Sequence, residues 1–216
     1  MKILAVADKV AELVYGPNIR KYFGDVDLVI SCGDLPYDYL EYIVTMLSVP
    51  VYYVHGNHDR EAEYTPQGIV PAAPGGCINL DGRVVRYKGL SLAGLEGSMR
   101  YRPGPFQYSE WQMRMRVVGM ASKLWWNRLR TGRFLDILVT HAPPCGIHDR
   151  QDLCHRGFRS LLRFIDKYSP RYLIHGHIHL YGHNEPWRTT YRDTLVLNAY
   201  GYRVLDVDVP GAHAGR

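Results

Sequence analysis

Five short motifs in this chain are rich in groups that bind metal ions. They are Ala7-Asp8, Gly33-Asp34, Gly56-Asn57-His58-Asp59, Thr140-His141-Ala142-Pro143-Pro144 and Gly176-His177-Ile178-His179. Each follows or ends an apolar run. Together they offer two carboxylates (Asp8, Asp34), an amide oxygen (Asn57) and three imidazoles (His141, His177, His179). That mixed oxygen and nitrogen donor set suits manganese, iron or zinc. Two-ion sites of this kind perform in-line displacement at phosphorus.

Each residue has a chemical reading and a plainer one. Gly33 lets the backbone turn tightly and brings the Asp34 carboxylate close to an ion, where it can bridge two cations. The plainer reading of Asp34 is a helix cap. Asn57 is a neutral oxygen donor, or else a turn residue after Gly56. His58, beside a ligand, can face the substrate and protonate a leaving oxygen. Asp59 can orient His58 or cap the local turn. His177 and His179, two apart, share a face in a strand or wrap around a metal pair in a loop. His141 is held by the rigid Ala-Pro-Pro segment behind it.

The elements that must position these groups read as alternating strands and helices. Strands are expected at Lys2–Ala7, Asp27–Cys32, Pro50–Val54, Ile137–Val139 and Arg171–Ile174. Their continuous apolarity implies cover on both faces. Asp8, Asp34, Asn57, His141 and His177 all follow strands, at the end where ligand sites collect in α/β sheets. Helical spacing runs through Ala11–Phe23 in two pieces, Tyr37–Ser48 and Gly157–Tyr168. Cys77–Leu80, Arg83–Tyr87 and Leu90–Leu95 read as hairpin strands. A loop at Glu96–Pro105 precedes one long helical stretch, Gln107–Arg130. Its stripe of Trp111, Met115, Val118, Ser122, Trp125 and Leu129 is expected to pack into the core. From about Trp187 to Val209 the pattern returns to strands. One domain over 1–210 and a loose tail at 211–216 are expected.

The 216 residues suffice for one sizeable core, and 46% hydrophobic with 22% charged residues is ordinary for a globular protein. The net charge of +5 favours anionic substrates. The four cysteines lack C-x-x-C spacing, and Cys32 sits inside an apolar run. The first apolar run is cut short by Asp8 and Lys9, so an export signal is not expected. No window reads as a membrane span. The expectation is a cytoplasmic protein with no membrane partner.

At these motifs the chain resembles the calcineurin-like metallophosphoesterases, from Met1 to about His183. The resemblance implies an α/β fold of four layers, a double β-sandwich flanked by α-helices, with two divalent metal ions at one edge. It implies that Asp34 bridges the ions, that Asn57, His141 and His177 hold one, and that Asp8 and His179 hold the other. His58 would assist the leaving group, and an ion-bridging hydroxide would attack in line. There is one departure. The family's first motif is usually Asp-x-His, whereas here it is Asp8-Lys9-Val10. Weaker affinity is expected at the Asp8/His179 position.

His155 and Arg156, ahead of a helix, are candidates to meet a phosphate at its N-terminus. Arg100 and Arg102 are further candidates for gripping an anion. The expected partner is a small phosphate ester, with diesters preferred. A phosphomonoesterase or protein phosphatase is the rival within enzymes. A degenerate metal-binding interaction protein is the rival outside them. The chain shows no dense basic stripe interleaved with aromatics, which disfavours nucleic acid. Oligomeric state is left open.

Overall fold

The computed structural model describes residues 1–66, 68–182 and 185–209. The tail expected at 211–216 lies outside the described residues. In chain order the elements are β1 (Lys2–Ala7), α1 (Ile19–Phe23), β2 (Leu28–Ser31), α2 (Tyr37–Leu47), β3 (Val51–Tyr53), β4 (Ala62–Thr65), β5 (Gly68–Pro71), β6 (Ile78–Asn79), β7 (Val84–Tyr87), β8 (Leu90–Leu95), β9 (Ser98–Met99), β10 (Gln107–Tyr108), α3 (Glu110–Gly119), α4 (Ala121–Thr131), β11 (Ile137–Thr140), α5 (Arg159–Tyr168), β12 (Tyr172–His175), β13 (Arg188–Tyr191), β14 (Thr194–Asn198) and β15 (Gly201–Asp206).

Two sheets carry the structure. One has the order β15-β1-β2-β3-β6 and the other β13-β14-β12-β11-β8-β7. In the first, β1, β2, β3 and β6 run parallel. In the second, β8, β11, β12 and β14 run parallel. Antiparallel strands β15, β13 and β7 close edges.

Successive strand residues point to opposite faces. In β1, Ile3, Ala5 and Ala7 face the second sheet, while Leu4 and Val6 face Ile19, Tyr39 and Ile43 of α1 and α2. In the second sheet, Leu92, Ile137, Val139, Ile174 and Leu197 face inward. Ala93, Leu138, Leu173 and Val196 face Met113, Leu124, Leu161 and Phe164 of α3, α4 and α5. The result is helix, sheet, sheet, helix: the expected four layers. Two apolar faces per strand explain why no alternation shows in the sequence.

Three expectations are corrected. Only Ile19–Phe23 of the Ala11–Phe23 stretch is α-helix. Cys77–Leu80 is not part of a hairpin. Its strand, Ile78–Asn79, joins β3 in parallel, and only β7 and β8 form the antiparallel pair. The long helical stretch breaks at Met120 into α3 and α4, just after Gly119, a weak helix former. An exposed pair, β4 with β5, has no counterpart among the expected strands.

The outer stripe is the largest departure. Trp111, Met115, Val118, Trp125 and Leu129 are between 46% and 76% exposed, as is Trp126. The buried positions are Met113, Met120, Leu124 and Asn127 on the opposite face. They recur at helical spacing too. Both faces carry apolar residues, so periodicity alone could not say which one turns inward.

Candidate metal centre

The C-terminal ends of the parallel strands from both sheets meet at one edge. Asp8 follows β1, Asp34 follows β2 and Asn57 follows β3. His141 directly follows β11, and His177 follows β12. Asp8, Asp34 and His177 all adopt left-handed backbone, with φ of 62°, 56° and 66°. This conformation is uncommon for residues with a Cβ, and it gathers at functional sites.

Glycines make room for the two carboxylates. A Cβ on Gly176 would lie 2.5 Å from Asp8 Oδ2 and 2.7 Å from the Ala7 Cβ. A Cβ on Gly56 would overlap the Asp34 carboxylate. The Asp34 carboxylate accepts the His58 backbone N–H at 2.8 Å. Asp59 accepts the N–H groups of Gly56 and Asp34, at 2.8 and 3.2 Å. Asp59 is therefore the local cap of the two alternatives. Burial, with the Asp34 carboxylate beside it, raises its pKa to about 6.

The centre of the site is built from Asp34, Asn57, His141 and His177. His141 Nε2 lies 3.1 Å from Asn57 Oδ1, 3.3 Å from Asp34 Oδ2 and 3.1 Å from His177 Nδ1. His141 Nδ1 donates to the Cys32 carbonyl at 2.7 Å. His177 Nε2 donates to the Cys154 carbonyl at 2.8 Å. A carbonyl only accepts, so both rings must carry hydrogen on those nitrogens. In the neutral rings the other nitrogens then present lone pairs to each other, with nothing between them to share. A cation resolves this arrangement.

Without a metal, that cation is a proton. Burial pushes the His141 imidazole down, but the Asp34 carboxylate more than reverses this, to about 9. Burial first, and then the charge on His141, drive His177 down to about 3. Burial raises Asp34, yet His141 outweighs it and holds the carboxyl at about 2. A divalent ion fits the same donors. Two imidazoles oriented by carbonyls, a carboxylate and an amide oxygen make a mixed N/O set.

Asp8 and His179 form a looser half. His179 Nε2 stands 3.8 Å from Asp8 Oδ1. Asp8 accepts the His177 N–H through both oxygens, at 3.0 and 2.9 Å. His179 stacks on Tyr200, with ring centroids 4.9 Å apart, and contacts the Tyr181 hydroxyl at 3.0 Å. Val10 packs against the helix-side core. It brings no ligand.

His58 is exposed and lines a cavity of about 320 Å³ with Asp34, Tyr37, Asp59 and Arg60. The His155 ring lies 5.4 Å from the His177 ring, and its Nδ1 contacts Asp152 at 2.8 Å. Arg102 sits over Tyr101, whose hydroxyl is 3.5 Å from Asn57 Nδ2. Two candidates fall elsewhere. Arg100 bonds to the Gln107 carbonyl and to Gln112, so it holds its own loop. Arg156 lines a separate groove with Glu110 and Arg159. The helix start expected to take a phosphate is closed. Glu110 accepts the N–H groups of Arg159 and Ser160, at 3.0 and 2.7 Å.

Several contributors had no sequence signal. The Cys32 and Cys154 carbonyls orient the imidazoles, but any residue type supplies a carbonyl. Tyr101 and Tyr200 were hidden among 17 tyrosines. Behind Asn57 lies a polar network. His55 Nδ1 meets Glu96 at 2.8 Å, and Glu96 also accepts Tyr108 OH at 2.7 Å and Arg116 at 3.1 Å. Arg116 further pairs with Asp81.

The family described as calcineurin-like phosphoesterase matches residues 2–181. No curated protein matches the chain. Among solved structures, TT1561 of Thermus thermophilus is similar over 92% of this chain and 88% of that one, with 16% identity and a TM-score of 0.59. GAP50, described as the anchor in the inner membrane complex of Plasmodium, is similar over 92% of this chain and 70% of that one. Its identity is 14% and its TM-score 0.55. At such identities the likeness establishes a shared fold.

Proposed function

This chain belongs to the calcineurin-like phosphoesterase family, and from that premise we propose that it is a phosphodiesterase working through two divalent ions. The observation that carries the reading is the pair of facing nitrogens of His141 and His177, 3.1 Å apart, beside Asp34 and Asn57. These four residues would hold the tighter ion. Asp8 and His179 would hold a weaker one, with Asp34 shared. Manganese, iron and zinc all suit the donors. Bound there, divalent ions neutralise phosphoryl charge and lower the pKa of a water.

The protein's own groups do the rest. Asp34, fixed by the His58 N–H, would offer its carboxylate to the ions. The His58 side chain, open to solvent beside Asp34, gives a proton to the departing oxygen. His155 and Arg102, at the rim, receive the anionic ester. The diester preference rests on the small single domain and on the resemblance to compact family members that cleave diesters.

A second reading is favoured by Val10 and by the 3.8 Å gap between Asp8 and His179: a metal-binding interaction protein that no longer turns over. One experiment separates these readings. Chelator-stripped protein is given manganese, with bis(p-nitrophenyl) phosphate or p-nitrophenyl phosphate as substrate. Faster turnover of the diester supports the proposal. Faster turnover of the monoester overturns the substrate class and keeps the enzyme. No turnover of either with manganese, iron or zinc leaves the interaction protein.

A further inference from the structure

The outward stripe of α3 and α4 has no partner within the described residues. Trp111, Met115 and Val118 in α3, then Trp125, Trp126 and Leu129 in α4, form an exposed apolar crest. At 100° per residue, Arg114 flanks this crest in α3, and Lys123, Arg128 and Arg130 flank it in α4. The opposite face, with Met113, Leu124 and Asn127, is buried against the protein. Arg128 stacks on Trp125 and Phe134, at 5.6 and 4.5 Å to the ring centroids. Trp125 and Phe134 meet edge to face at 4.9 Å. Trp125 is therefore packed in place on the crest.

From Glu110 to Arg133 there are six Lys or Arg against one Glu. Arg116 and Arg133 pair with Asp81, Glu96 and Asp136, which leaves Arg114, Lys123, Arg128 and Arg130 around the crest. We infer that this crest docks the protein on an anionic lipid bilayer surface. Tryptophan and leucine on the crest enter the headgroup boundary, and the flanking arginines meet lipid phosphates. No described helix is long and apolar enough to cross a membrane, so the helices lie on the surface. The proposal runs against the expectation of no membrane partner, which rested on the lack of a span.

Charge selects this occupant over others. A second copy would set one basic face against another, and like charges across an interface oppose association. Trp111, Trp125 and Trp126 with the flanking arginines make a basic, aromatic stripe not expected from the sequence. Nucleic acid would match its charge and stack on its rings, but it gains little from Leu129, Val118 and Met115 on the same crest, which neither stack on bases nor hydrogen-bond.

The test is flotation of the full chain with vesicles. One set is phosphatidylcholine alone, and the other contains about one-third phosphatidylglycerol. Binding to the anionic set only is expected, with a loss of roughly tenfold or more for Trp126→Glu with Leu129→Glu. Arg114→Glu with Arg130→Glu should weaken binding and flatten its salt dependence. These side chains are exposed, so circular dichroism and melting midpoints should match wild type, and any fall in binding is then a surface effect. No binding to anionic vesicles overturns the proposal, as does binding that the crest variants leave unchanged. A dimer that the crest variants dissolve would overturn it too, as would duplex DNA binding with a steep salt slope. Hydrolysis of a soluble ester is read separately, so failure here leaves the phosphoesterase assignment standing.

Discussion

His141 and His177 show how backbone carbonyls select a tautomer. Each ring must donate to a carbonyl, so each turns its free nitrogen toward the other, and that of His141 also meets Asn57 and Asp34. In the metal-free chain His141 is protonated up to about pH 9. A metal must displace that proton. Raising the pH removes the competitor, so metal affinity rises as pH climbs toward 9. Titration calorimetry with manganese should show about a tenfold gain per pH unit between about pH 6 and 8, with one proton released. A flat profile would deny His141 as a ligand. Gly176→Ala makes a separate prediction. Its Cβ would crowd Asp8 Oδ2 and should weaken the looser half about tenfold, comparable to disturbing an outer-shell partner. Equilibrium dialysis should then find one of two ions loosened. The candidate donors Asp34, His141 and His177, which the fold brings together, were legible in the sequence because polar clusters ended apolar runs. The orienting carbonyls of Cys32 and Cys154 were not, because a backbone group leaves no mark on residue type.

At the scale of elements, the central strands and the helices α2 and α5 are legible in the sequence, and the inward face of α3 and α4 is not. β1, β8 and α2 fall where apolar runs and helical spacing put them. α3 and α4 carry apolar residues on two faces, and only packing against Leu161 and Phe164 of α5 decides which is core. The choice is measurable in urea. Leu124→Ala, fully buried, should cost about 2–5 kcal/mol. Leu129→Ala, on the exposed crest, should change stability by less than about 0.5 kcal/mol. The reverse order would place the crest inside. Likewise, Glu110 closes the start of α5 by accepting two backbone N–H groups. Glu110→Ala should cost about 1 kcal/mol, as removal of a cap does. The phosphate expected at that helix start failed for this reason, since a carboxylate about fifty residues away already fills it. Sequence proximity of His155 and Arg156 to the helix could not reveal it.

Across the whole molecule, the site joins the two sheets. Asp34 and Asn57 extend from β2 and β3 of one, and His141 and His177 from β11 and β12 of the other. An ion held by all four would clamp the sandwich at its edge. Manganese at about a hundred times its dissociation constant should add about 2.7 kcal/mol of stability. For a chain of this size that is a rise in melting midpoint of about 5–10 °C, absent in His177→Asn. The central claim is that this cross-sheet site makes the chain a metal-dependent phosphoesterase. The most direct measurement is hydrolysis of bis(p-nitrophenyl) phosphate by chelator-stripped wild type and His177→Asn, each with and without manganese. Turnover that appears only in wild type and only with manganese is the predicted result. Equal turnover by both proteins, or turnover indifferent to manganese, would contradict the account.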